Sequence, residues 1–330
     1  MPVAVRRVVS VTVVGLAAVV CTLLVANLLR SKDSQRSDAS EQDEAAAIRR
    51  SQELALAAKR TSELESRVAE LEDQLAARER AAARASGRTA QSTSTSGSAE
   101  GFTELERRLG GRLGAVYGPV SGPAVHVGSW DTGPAWSTIK VPIAIAVSRE
   151  HGGQTPSMGA ALTASDNAAA TRLWDSLGTP SGAARKVEAA LASAGDTSTR
   201  VQSQTVRSGF TSFGQTIWTL QSQQRFAAGM SCVGGAGPVV ALMGQVDSSQ
   251  RWGLGTVGAN QRFKGGWGPS ADGNYLVRQF GLIDLPSGTV AVAMAAEPED
   301  GTFQSGIRDL NEIARWLVTH ARGSGKRNCS

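Results

Sequence analysis

Hydrophobic positions along the 330-residue chain follow three successive patterns. Residues 8–29 form one uncharged apolar run behind Arg6 and Arg7. From about residue 40 to 85 the chain is rich in Ala, Glu, Arg and Leu. There Leu54, Ala57, Thr61, Leu64, Val68, Leu71 and Leu75 alternate spacings of three and four, the a/d pattern of a coiled coil. Beyond residue 102 the apolar positions break into short blocks. They predict a helix over 102–113, strands around 114–117 and 124–129, and a helix carrying Ser137 and Lys140. An Ala-rich helical section to about residue 195 follows, then a helical stretch over 212–230 and strands around 262–265, 275–282 and 289–295. The last helix, over 307–321, places Leu310, Ile313, Ala314, Leu317 and Val318 on one face. This order predicts an α+β fold, an α/β sandwich. Its five-stranded antiparallel sheet is built from both ends of the domain, with helices inserted between.

The first pattern is long enough to span a bilayer as a helix. A cleaved signal peptide is the competing reading, but its apolar core is normally shorter and precedes a small-residue cleavage site that is absent here. Residues 1–30 are therefore read as a membrane anchor, with the basic N-terminus inside and the bulk of the chain exported. Residues 40–85 are read as a helical stalk, either a dimerising coiled coil or a solvated single helix with i,i+4 ion pairs. Residues 86–101, rich in Ser, Thr and Gly, read as a flexible linker, and 102–330 as the folded domain.

A hydrophobic content of 41% suits a packed core, and the net charge of +5 fits an anionic cell envelope rather than nucleic acid. His126, His151 and His320 lack ligand spacing, so no metal site is expected. Cys232 and Cys329 are the cysteines outside the apolar run. Export permits a disulfide between them, although sequence leaves open whether they meet.

One cation stands out. Residues 101–330 hold sixteen arginines and four lysines, yet Lys140 sits in the apolar stretch "WSTIKVPIAI", one turn after the hydroxyl of Ser137. Unlike Arg, a desolvated Lys can lose its proton and act as a base. A capped amphipathic helix is the plainer reading of that pair alone. Two further stretches change the balance, Ser165-Asp166-Asn167 and Lys264-Gly265-Gly266. The three correspond in order to S-x-x-K, S-D-N and K-T-G, the signature of class A β-lactamases and penicillin-binding proteins.

From about Leu105 to Ala321 the chain resembles that serine acyl-enzyme superfamily, and class A most closely. "ASDNAAATRLWDSLG" resembles the segment around its second motif, and "GTVAVAMAAEPED" its final strand. The resemblance implies a β-lactamase/transpeptidase-like fold and an exported enzyme attacking a lactam or peptide carbonyl without a cofactor. It implies Ser137 as nucleophile, Lys140 as base, Ser165 as proton relay and Lys264 as a second cation. Asn167 would hold the substrate amide, and the N–H groups of Ser137 and Trp267 would form an oxyanion hole beside Gly266.

Three departures qualify this. Gly265 stands where the family has Thr or Ser to bind the substrate carboxylate, a role that Arg278 on the next strand is a candidate to take. Only 28 positions separate Ser137 from Ser165, so the helical subdomain must be reduced. Residues 198–210, where class A enzymes carry the Glu that activates the deacylating water, contain no carboxylate. Between Asn167 and Lys264 the acids are Asp175, Glu188, Asp196 and Asp247, of which Glu188 lies in the helical-looking KVEAALASAG and reads as surface charge. The expected activity is acylation of Ser137 by β-lactams or peptidoglycan stem peptides with slow deacylation. The alternative is a degenerate member that binds cell-wall peptide or protein.

Overall fold

A computed structural model describes residues 92–257, 259–323 and 329. The expected anchor, the stalk and the first part of the linker lie outside the described residues. Among the described residues no single helix is long and apolar enough to cross a membrane.

The chain forms α1 (Ser92–Leu109), β1 (Arg112–Pro119), β2 (Val125–Gly128) and β3 (Thr132–Pro134), then a 3-10 turn, Trp136–Ile139. Four helices follow, α2 (Lys140–His151), α3 (Pro156–Thr163), α4 (Asn167–Ser176) and α5 (Pro180–Ser193). After a long loop come β4 (Ile217–Thr219), α6 (Leu220–Gly229) and α7 (Ala236–Met243). The domain closes with β5 (Ala259–Pro269), β6 (Tyr275–Leu285), β7 (Gly288–Glu297) and α8 (Phe303–His320).

The expected five-stranded sheet is present, in the order β2-β1-β7-β6-β5 with every neighbouring pair antiparallel. β7 lies at its centre and is buried on both faces, which is why its sequence is almost continuously apolar rather than alternating. Ala291, Ala293 and Ala295 face the core shared with the inserted helices. Val290, Val292 and Met294 face the core shared with α1 and α8. The small side chains on the first face let the helices approach the sheet closely.

Several helix starts are written locally. Thr155 and Thr179 each cap the following helix with the side-chain oxygen and are each followed by a proline, whose missing N–H costs nothing at that position. Thr302 caps α8 in the same way, so this helix starts four residues before the expected boundary. Val318, assigned by the pattern to its buried face, is 38% exposed.

Two expectations are corrected. α1 begins at Ser92, inside the range read as linker. Its far end is anchored by buried Phe102 and Leu105, and extending an anchored helix is far less costly than nucleating one. Residues 212–230 are not one helix. Ile217 and Trp218, good strand formers, pair with β3, and Thr219 then starts α6 by accepting from the Ser222 N–H. Cys232 and Cys329 form a disulfide across 97 residues of sequence.

Candidate active site

The turn carrying Ser137 is held from behind. Ala135 N–H donates to the Thr216 carbonyl at 2.7 Å, and the Thr138 hydroxyl donates to the Ala135 carbonyl at 2.5 Å. Gln223 Nε2 donates to that same hydroxyl, and Arg278 donates to Gln223 Oε1, both at 2.9 Å. Arg278 also donates to the carbonyls of Gly133, Pro134 and Trp218 at 2.9 to 3.0 Å. Its side chain is fully buried and lies over the ring of Trp130. Burial lowers its pKa to about 9, against the pull of Asp131, which leaves it cationic at neutral pH. The expectation that Arg278 binds a substrate carboxylate is therefore wrong: the guanidinium is committed to backbone and does not line the cleft.

Trp136, immediately before Ser137, has φ +49°, and Ser165 has φ +58°. For residues with a Cβ such conformations cost on the order of 1–3 kcal/mol each, and here they flank one site. β5 lies against the same turn. A Cβ on Gly266 would sit 2.9 Å from the Ala135 carbonyl oxygen and from the amide nitrogens of Ser137 and Thr138. Only glycine lets the strand backbone come this close, which sets the backbone of β5 beside the Ser137 N–H.

Lys140 is buried at the start of α2 and points its amine at the Ser165–Asn167 loop. Nζ donates to the Ser165 carbonyl at 2.6 Å and to Asn167 Oδ1 at 2.7 Å, and lies 3.4 Å from both Ser165 Oγ and the Asp166 carbonyl. Lys264, fully buried on β5, donates to Ser165 Oγ and to the Gly265 carbonyl, each at 2.9 Å. The Ser165 hydroxyl thus bridges two amines. Burial lowers the Lys140 pKa from 10.5 to about 8, with the Asp166 charge opposing the change. Burial, and then the charge of Lys140, take Lys264 well below the ordinary lysine value. Ser137, Lys140, Asn167 and Trp267 line one cavity of about 360 Å³. Ser137, Lys140, Ser165, Asn167 and Lys264 therefore converge. The Ser137 hydroxyl makes no hydrogen bond among the described residues; such contacts often tighten only when substrate binds.

Gly265 has a structural reason. A Cβ there would meet the Trp252 ring at 2.8 and 3.0 Å, so the indole fills the space where a Thr or Ser side chain would stand. Trp252 is buried, its ring edge-on to Trp267 and Phe303. Its carbonyl accepts from Gln279 Nε2 at 2.8 Å.

None of the four acids between the motifs lines the cavity. Asp175 and Asp247 are exposed. Glu188, read from sequence as surface charge, accepts the Val201 N–H at 2.8 Å. Asp196 is buried and accepts from Ser198, Thr199 and Trp218 Nε1. Both carboxylates hold the loop that follows α5. The wall formed by the far end of that loop, with Gly209, Phe210 and Thr211, was missed in sequence, as were Gln223 and Trp252.

Solved structures share this architecture. A β-lactamase from Chitinophaga pinensis superposes with a TM-score of 0.57 at 15% identity, covering 68% of this chain and 98% of its own. A class A β-lactamase from Mycobacterium abscessus gives 0.53 at 20%, covering 67% and 98%. The fold is that of the class A β-lactamases. A variant of the reconstructed last common ancestor of Gram-negative class A β-lactamases gives 0.52 at 20% identity, covering 68% and 97%. No family model and no curated protein matches the sequence.

Proposed function

We propose that the domain is a serine acyl-enzyme that opens β-lactams or cleaves peptidoglycan-type peptide amides and releases the acyl group slowly. The observation that carries this reading is the Ser165 hydroxyl shared by Lys140 and Lys264 beside the cavity that exposes Ser137. Neutral Lys140 takes the Ser137 proton, and Ser137 Oγ attacks the carbonyl carbon. The oxyanion is received by the N–H groups of Ser137 and Trp267. Ser165 passes a proton to the departing nitrogen and is reprotonated from Lys140. Lys264 supplies a positive field for an anionic substrate. Hydrolysis of the ester then needs a base for water. Such a base is typically worth about 10²- to 10⁴-fold, and no carboxylate lines the cavity. In the cell, the apolar run at 8–29 would tether the domain outside the membrane, with 40–85 as its stalk.

The test is mass spectrometry of the full-length chain after incubation with benzylpenicillin. An adduct of the whole drug on Ser137, absent in Ser137→Ala and persisting for many minutes, is expected. Rapid turnover would refute the slow-release part. Absence of any adduct would favour the second reading, a binding module for cell-wall peptide. Trp252 filling the carboxylate-binding position is the observation on that side.

A further inference from the structure

A second cavity, about 830 Å³, adjoins the first and shares Trp136, Gly268 and Pro269 with it. Its wall carries Val206 and Ile217, 71% and 60% exposed, two of the three large hydrophobic residues left exposed among the described residues. Pro134 and Leu276 extend the same apolar surface. Unburied apolar area concentrated at one place marks a surface that something covers.

Arg207 gives that occupant its chemistry. Its guanidinium lies 4.2 Å from the ring of Phe210 and 5.7 Å from that of Trp136, and Nη2 donates to the Pro269 carbonyl at 2.6 Å. No carboxylate pairs with it among the described residues. The backbone is fixed on both sides. Gln215 accepts the Arg207 N–H at 2.6 Å and donates to the carbonyls of Arg207, Phe210 and Thr211. The cation is thus preorganised on the border of the two cavities. Of the other charges in the lining, Arg112 and Glu297 are paired at 3.1 Å, and Asp272 is exposed on the β5–β6 turn, where solvent screens it.

Direction follows from the chemistry. The departing nitrogen must face the Ser165 hydroxyl, so the group attached to the attacked carbonyl leaves on the opposite side, past Gly268 and Pro269. That is where the second cavity opens. We propose that this groove receives the acyl substituent of the substrate and selects substituents that are both apolar and anionic, their carboxylate pairing with Arg207. The inference rests on the acyl-enzyme reading above.

The experiment compares acylation rates of the full-length chain by benzylpenicillin and by α-carboxybenzylpenicillin, which differ by one carboxylate. A charge-assisted hydrogen bond at a partly exposed site should favour the carboxylated drug by about five- to tenfold. The preference should shrink in 1 M salt, approach unity in Arg207→Gln, and persist in part in Arg207→Lys. Ile217→Asp should slow both drugs. Equal rates in the unmodified chain, or an unchanged ratio in Arg207→Gln, would overturn the groove assignment while leaving the acyl-enzyme intact. Failure of both drugs to label Ser137 would overturn the two together.

Discussion

Arg278 donates to the carbonyl of Pro134 at 3.0 Å, three residues before Ser137. The strand next to β5 therefore fixes the turn that carries Ser137. Arg278→Met would leave four buried acceptors without their donor, a loss of more than about 3 kcal/mol. Arg278→Lys should recover little, because one ammonium cannot span acceptors that a planar fork reaches together. Chemical denaturation checks the stability. Acylation measured in the cold, where the variant is still folded, should be slowed further than the unfolded fraction explains.

The acylation rate should rise with pH and level off above about 8, the pKa to which burial brings Lys140. Below it the amine holds its proton and cannot take that of Ser137. A rate independent of pH between 6 and 9 would count against Lys140 as base.

The same lysine shapes stability. Its folded pKa lies below the unfolded value of 10.5, so the unfolded chain binds more protons between pH 8 and 10.5, and this contribution to stability grows with pH across that window. The contribution is complete above about pH 10.5 and is lost as pH falls to 8. The full shift corresponds to roughly 3 kcal/mol. Lys264 acts in the same direction. Thermal midpoints of Lys140→Met should rise less steeply over that range than those of the unmodified protein.

Removing the Cys232–Cys329 bond frees a tail otherwise closed over 97 residues. Loop entropy sets the cost at about 2–5 kcal/mol. Cys329→Ser should lower the denaturation midpoint, and reductant should shift the unmodified protein to the same value without altering the variant.

A chain starting at Ser92 should retain a cooperative thermal transition, because both cores are built from residues after 101. Loss of that transition would make the preceding segments part of the fold.

Much of the architecture was readable because it is locally encoded. The apolar run of β7 marks a strand buried on both faces, whereas the Thr-Pro pairs that divide the Ala-rich section into separate helices were not read. The candidate site was readable for another reason: its residue types carry chemistry at fixed spacing, and Lys140, Ser165, Asn167 and Lys264 do meet. What failed depends on distant partners. Arg278 has the same letter whether it faces a cleft or a backbone turn, and only the positions of Gly133, Trp218 and Gln223 decide. β4 exists because β3 is there to pair with it. Glu188 looked like surface charge because its acceptor role depends on a loop amide thirteen positions away.

The contact between Gly265 and Trp252 also constrains any substitution that would place a hydroxyl at position 265. Thr at 265 alone would place its Cβ at 2.8 and 3.0 Å from atoms of the buried indole, which would have to shift to admit it. A smaller residue at 252 would make room for it, and by itself would open a void beside Trp267 and Phe303. Either single change is harmful and only the pair is compatible, so positions 252 and 265 are energetically coupled to one another.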